Sequence, residues 1–66
     1  MMIRVNGVEI ALDDPMDLQT FLEREGYSLG RVAVEKNGEI VPKASYSTEM
    51  LAADDRLEIV SFVGGG

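Results

Sequence analysis

Two Asn-Gly pairs, Asn6-Gly7 and Asn37-Gly38, constrain the fold of this chain more than any other feature of its sequence. Each pair lies between two short runs in which apolar and polar residues alternate. Asn-Gly favours the type I′ turn, whose two central residues both have positive φ, and this turn joins the strands of tight hairpins. The sequence therefore predicts two β-hairpins. Their strands are expected at residues 2–5, 8–12, 32–36 and 39–41.

Between the two hairpins the spacing of apolar residues changes to that of a helix. Leu18, Phe21 and Leu22 stand at positions i, i+3 and i+4, which lie on one helical face. Asp17 is a suitable N-cap, because its carboxylate can accept a hydrogen bond from a free N–H of the first turn. A second possibility is Asp14 as the cap, with Asp17 three residues later. Gly26 suits the left-handed position after the helix, with the following tyrosine packing back on the last turn in a Schellman ending.

The rest of the chain supplies a loop and a last strand. Residues 43–53 follow no clean period, which indicates an irregular loop with one helical turn, and residues 56–63 form the most apolar strand. A single helix covers only one face of a sheet. The order of elements is typical of an α+β, ubiquitin-like β-grasp fold, with a mixed sheet of four to five strands packed on one helix. The first and last strands are expected side by side and parallel at its centre. We assign residues 1–63 to this domain and residues 64–66 to a flexible, reactive C-terminal tail.

Composition excludes several classes of function. Twelve acidic and six basic residues give a net charge of −6, which argues against a nucleic-acid partner. The chain has no Cys and no His, so it cannot form disulfides or the usual zinc sites. For the same reason it cannot form a Ser–His or Cys–His catalytic pair. No apolar run approaches the ~20 residues that span a membrane. We therefore expect a soluble, cytoplasmic domain that is a monomer on its own, is no enzyme, and binds no cofactor or metal. The carboxylates that could suggest a metal site are interpreted as turn and cap residues: Asp13, Asp14, Asp17, Asp54 and Asp55.

The chain ends in three glycines, Gly64, Gly65 and Gly66. A segment without side chains is thin and conformationally free, so it can enter a narrow channel of a partner and present its terminal carboxylate there. That carboxylate becomes reactive only when a partner converts it to an acyl-adenylate, because this chain has no phosphate-binding loop of its own. The alternative is a frayed terminus without a function.

The last strand predicts a docking surface for partners. If Leu57 and Ile59 face the helix, the period of two sends Val60 and Phe62 to the opposite face of the sheet. That face has no second layer, so these two side chains would form an exposed apolar patch of the kind that often binds another protein. The alternatives are a different strand register, or burial of both side chains beneath the loop of residues 43–53.

Four segments of the chain have distinctive sequences: Met-Ile-Arg-Val-Asn-Gly at 2–7, Leu-x-x-Phe-Leu at 18–22, Val-Glu-Lys-Asn-Gly-Glu-Ile-Val-Pro at 34–42, and Ile-Val-Ser-Phe-Val-Gly-Gly-Gly at 59–66. The hairpin and the tail are fairly specific in combination, whereas either alone would be weak. Taken together, the four segments resemble the ThiS family, the sulfur carrier proteins of thiamin biosynthesis, and the resemblance covers all 66 residues.

The resemblance implies a reaction at the C-terminus. A ThiF-like adenylating enzyme would activate the carboxylate of Gly66 with MgATP. A sulfur-transfer enzyme would then replace one oxygen by sulfur derived from cysteine, giving a thiocarboxylate, and a ThiG-like thiazole synthase would take up that sulfur. The family tail is usually Gly-Gly, so Gly64 is an additional glycine that alters only the reach of the tail.

Two alternatives remain open on the sequence. One is another sulfur carrier of the same fold, such as the MoaD-like subunit of molybdopterin synthase or a carrier for tRNA thiolation or cysteine synthesis. MoaD-like chains tend to be longer around the helix. The other alternative is a non-covalent interaction module, whose terminus would gain no sulfur in the presence of ATP and an adenylating enzyme.

Overall fold

One face of a five-stranded sheet packs against an α-helix in the computed structural model, which describes residues 1–62. Two short 3-10 turns, at Leu29–Arg31 and Lys43–Ser45, connect the larger elements. The second of them is the helical turn expected in the irregular loop, whereas the first was not predicted. The larger elements are β1 (Met2–Val5), β2 (Val8–Ala11), α1 (Leu18–Arg24), β3 (Val32–Lys36), β4 (Glu39–Val41) and β5 (Arg56–Ser61).

The strands lie in the order β2-β1-β5-β3-β4. β1 and β5 are parallel neighbours at the centre, and the other three pairings are antiparallel. This arrangement confirms the predicted β-grasp fold. Two strands end earlier than the sequence suggested: the edge strand β2 stops at Ala11, although Leu12 is buried, and the central strand β5 stops at Ser61. Residues 63–66, which include the predicted tail, lie outside the described part of the chain.

Both Asn-Gly pairs form the predicted turns. Asn6 and Gly7 have φ values of 49° and 83°, and Asn37 and Gly38 have values of 54° and 87°. Glycine carries no steric penalty at these values, and asparagine tolerates them better than most residues do.

The two turn asparagines also hold the central strand from both sides. The Asn6 side-chain amide donates to the carbonyl of Ile59 at 3.1 Å and accepts from the Ile59 N–H at 2.7 Å, which continues the β1–β5 ladder beyond β1. On the other side, the side-chain oxygen of Asn37 accepts from the N–H of Arg56 at 2.9 Å. These bonds fix β5, which leads into Phe62 and the tail.

The helix has the predicted ends. The Asp17 carboxylate accepts from the N–H of Thr20 at 2.9 Å and from its hydroxyl at 2.7 Å. The hydroxyl bond first, and then the backbone bond, lowers the pKa of Asp17. At the other end Gly26 has a φ of 84°, and the N–H of Tyr27 donates to the carbonyl of Leu22 at 2.9 Å, as a Schellman ending requires.

The core lies between the helix and the inner face of the sheet. The loop of residues 43–53 closes one side, where Tyr46 and Leu51 are buried and the backbone of Met50 forms a bridge with Asp17. The largest fully buried side chains come from both layers: Ile3, Leu18, Phe21, Leu22, Val32, Val34 and Leu57.

Candidate functional site

Val60 and Phe62 lie where the sequence predicted them, on the face of the sheet that points away from the helix. Leu57 and Ile59 are buried in the core, whereas Val60 and Phe62 remain 57% and 55% exposed. The loop of residues 43–53 therefore does not cover them, and that alternative is excluded. Phe62 follows β5 directly, and its N–H donates to the carbonyl of Arg31 at 2.7 Å. The role of both side chains in docking stays a prediction.

Two further apolar residues lie on this face, and they were not predicted from the sequence as part of the docking surface. Ala33 stands directly opposite Val60 across the β3–β5 pairing, and Ile40 of β4 is the most exposed of the large apolar side chains in residues 1–62, at 78%. The burial of Val32, Val34 and Val41 could have revealed them, because alternation then sends Ala33 and Ile40 outward. We call Ala33, Ile40, Val60 and Phe62 the outer patch.

The outer patch borders two shallow depressions. The first, of about 120 Å³, separates Ile40 from Val60 and contains Glu35 and Glu58 at its border. The second, of about 220 Å³, has both Pro42 and Phe62 in its lining. Both depressions share Ala33 and Ile40, so the patch is continuous across β4, β3 and β5.

At the opposite end of β5 from Phe62, a polar cluster around the buried Asp55 fixes the start of the strand. The Asp55 carboxylate accepts from the side-chain amide of Asn37 at 2.9 Å and from the N–H of Ala52 at 2.8 Å, and lies 3.6 Å from the Lys36 ammonium. The ammonium also contacts Glu49 at 2.6 Å. The sequence predicted Asp55 only as a turn residue, because its partners are distant along the chain.

The cluster shifts two pKa values. Burial raises the pKa of Asp55, but the hydrogen bonds from Asn37 and Ala52 and the charge of Lys36 outweigh it and hold this pKa below its ordinary value. For Lys36, the hydrogen bond to Glu49 raises the pKa and outweighs the opposing effect of burial. Both groups are therefore charged at neutral pH.

Replacing Asp55 with Asn is expected to lower the free energy of unfolding at pH 7 by about 1–3 kcal/mol, because the amide cannot satisfy both donors and the Lys36 charge. A lowered folded-state pKa means that the carboxylate stabilises the fold above its unfolded value of about 3.9, and that this stability is lost as the pH falls through the folded-state pKa. In urea titrations from pH 7 to pH 3, wild type and Asp55→Asn should therefore converge.

The control is Asp54→Asn, which changes the charge of the neighbouring exposed residue. Asp54 has a φ of 69°, which Asn tolerates well, so little change in stability is expected. Curves for wild type and Asp55→Asn that stay parallel down to pH 3 would contradict the assigned role.

Three of the five carboxylates considered for a metal have structural positions. Asp17 caps the helix, Asp54 stands in a turn with positive φ, and Asp55 belongs to the polar cluster. Among residues 1–62 no three Asp or Glu side chains converge in a way that could hold a metal ion. No helix in that part of the chain is long and apolar enough to cross a membrane.

The sequence is similar to a known family and to several known proteins. A family model described as the ThiS family matches residues 3–66. The chain is 42% identical over 66 residues to a thiazole synthase of Paramagnetospirillum magneticum and 35% identical over 66 residues to one of Magnetococcus marinus. It spans only 20% of the length of these two relatives. An uncharacterized protein, ycf40, of Pyropia yezoensis is 34% identical over 64 residues, which are 97% of this chain and 90% of that protein.

The fold agrees with this sequence similarity. The crystal structure of a thiamine biosynthesis protein (ThiS) from Geobacter metallireducens superposes with a TM-score of 0.84 at 26% identity, over 100% of both chains. Its solution structure gives a TM-score of 0.82 over 100% of this chain and 88% of that one. Because the family match covers residues 3–66, and the fold of the described residues agrees with it, this chain belongs to the ThiS family.

Proposed function

We propose that this chain is the sulfur carrier of thiazole formation in thiamin biosynthesis and that the carboxylate of Gly66 carries the sulfur. The observation that carries the proposal is the match to the ThiS family over residues 3–66, which includes the three glycines. The fold supports it, because β5 is held at the centre of the sheet and ends at Ser61, three positions before Gly64 in the sequence.

In the proposed reaction a ThiF-like enzyme supplies the activation. A carboxylate oxygen of Gly66 attacks the α-phosphate of MgATP, so that an acyl-adenylate forms and pyrophosphate leaves. A hydrosulfide equivalent, delivered by a sulfur-transfer enzyme, then attacks the acyl carbon and displaces AMP, which leaves a thiocarboxylate. A ThiG-like thiazole synthase takes this sulfur into the thiazole ring. These steps use MgATP, and we place them in the cytoplasm.

In this scheme the folded part of the chain is the surface by which the partner enzymes bind the carrier. Glycines without side chains present little for an enzyme to recognise, so recognition falls to the domain that precedes them. The outer patch supports this role, because Val60 and Phe62 are exposed apolar side chains at the end of β5, adjacent in sequence to the tail. An exposed apolar surface of this kind is typical of a protein-binding site.

The proposal is tested by measuring the intact mass of the chain after incubation with the adenylating enzyme, MgATP and a sulfur source. The expected result is a mass gain that corresponds to one oxygen replaced by sulfur, located on the C-terminal peptide. A chain that gains no sulfur with any adenylating enzyme of its source would instead be a non-covalent module. Deleting the gene should create a requirement for the thiazole moiety, whereas a requirement for molybdenum cofactor would favour a MoaD-like role.

A further inference from the structure

Two glutamates stand side by side on the outer face of the sheet, and neither makes an ion pair within 4.0 Å among residues 1–62. Glu35 of β3 and Glu58 of β5 are directly opposite in the antiparallel pairing, and both are exposed. Side chains in such positions have Cβ atoms about 4.5–5.5 Å apart, and like charges there destabilise the sheet. The fold therefore carries an unfavourable pair on its central strands.

Nothing in the described residues neutralises this pair. Lys36, the neighbour of Glu35 along β3, turns to the other side of the sheet and joins the polar cluster. Arg56 shares the outer face with Glu58, two residues before it, but makes no ion pair within 4.0 Å with any of residues 1–62. Arg4 is opposite Arg56 and contacts Glu9 at 3.3 Å, on the far side of β1.

Apolar side chains lie beside the glutamate pair on the outer face, and we call Ala33, Ile40 and Val60 its apolar border. Ile40 is directly opposite Glu35, and Val60 follows Glu58 by two residues on the same face. The depression of about 120 Å³ is lined by these four side chains together with Ala33 and Val34. A partner that covers the apolar border would exclude water from the carboxylates, and an ion pair strengthens as the local dielectric falls.

We propose that the glutamate pair receives an arginine of the thiazole synthase, while Ala33, Ile40 and Val60 pack around it. This inference rests on the proposed function and names the chemistry by which the outer patch selects that partner. A guanidinium presents five N–H donors in a planar fork and can bond two neighbouring carboxylates at once. The synthase is favoured as the partner because each of the two thiazole synthase relatives contains a segment similar to all 66 residues of this chain, and that segment is 20% of the relative's length.

The test compares the affinity of the thiazole synthase for the full chain and for the double variant Glu35→Gln, Glu58→Gln by calorimetry. We expect the Kd of the double variant to rise about tenfold, because the arginine loses both charged partners in a desolvated site. The slope of log Kd against log salt should also become flatter. The matched control is Glu39→Gln on β4, which removes the same charge from an exposed residue that does not share the outer face with Ile40; its Kd should not change.

Stability separates this role from a structural one. Because the two carboxylates repel each other, the double variant is expected to have an equal or higher midpoint of thermal unfolding while it binds less tightly. Three outcomes would overturn the inference. The folded double variant could bind the synthase with an unchanged Kd, or Glu39→Gln could lose as much affinity for the synthase as the double variant does. The third is a double variant that loses affinity for the adenylating enzyme but not for the synthase. If wild type binds the synthase and the double variant binds equally well, only this inference fails. If wild type carries no sulfur and does not bind the synthase, the proposed function fails as well.

Discussion

A chain lengthened by one lysine after Gly66 is expected to acquire no sulfur at all when it is incubated with the adenylating enzyme, MgATP and a sulfur source. The reaction proposed above takes place on the carboxylate of Gly66. A peptide bond at that position leaves an amide carbonyl, which is a far weaker nucleophile toward MgATP and has no oxygen that sulfur can replace by displacement of AMP. The added side chain must also enter a channel suited to glycine. Intact-mass measurement gives the result directly.

Removal of the added residue provides the control. Carboxypeptidase B cleaves a C-terminal lysine, and the same sample should regain full sulfur loading once Gly66 is again terminal. The extension lies beyond Ser61, the last residue of β5, so the thermal unfolding of the lengthened chain should match that of wild type. Sulfur found on an untrimmed, lengthened chain would remove Gly66 as the reacting group.

A second variant measures what the missing side chain contributes. Gly66→Ala keeps the terminal carboxylate at position 66 but adds one Cβ, so it separates the need for a carboxylate at that position from the need for a thin tail. Slower loading than wild type, in contrast to no loading in the lengthened chain, would show that both properties matter.

Some parts of the fold can be derived from the sequence and others cannot. The hairpins and the helix follow from signals within a few residues, such as Asn6-Gly7 or the spacing of Leu18 and Phe21. The bonds from Asn6 to Ile59 could not be derived in this way, because 53 positions separate the two residues and only the parallel pairing of β1 and β5 brings them together.

In the candidate site, too, the features set by local sequence could be predicted and those set by contacts between distant residues could not. Val60 and Phe62 were predicted because alternation along a single strand is visible in the sequence. Ala33 and Ile40 join them only through the register between β3, β4 and β5, which no local signal sets. Asp55 occurs in a turn, as expected, but its burial depends on Lys36 and on other residues that reach it from elsewhere in the chain.

Replacing Val60 with Asp is expected to raise the KM of the adenylating enzyme for this carrier about tenfold with little change in kcat, which is the effect of losing one apolar contact near the centre of an interface. The physical reason is that Val60 lies at the centre of the outer patch, opposite Ala33, where a carboxylate would be desolvated without a partner. Phe62→Asp is expected to act in the same direction. The rate of pyrophosphate exchange that depends on the carrier, measured over a range of carrier concentrations, gives both constants.

Val8→Asp is the matched control for this measurement. Val8 is 63% exposed, close to the 57% of Val60, and it is also a strand residue, but it lies on the edge strand β2, two strands away from Val60 across the sheet. The same change of charge and size there should leave KM unaltered, and Val60→Ile should also keep the wild-type value. Because Asp lowers strand propensity at both sites, thermal unfolding of each variant shows whether the domain remains folded. A folded Val60→Asp chain with an unchanged KM would place the adenylating enzyme on another surface, even if the chemistry at Gly66 proceeds as proposed.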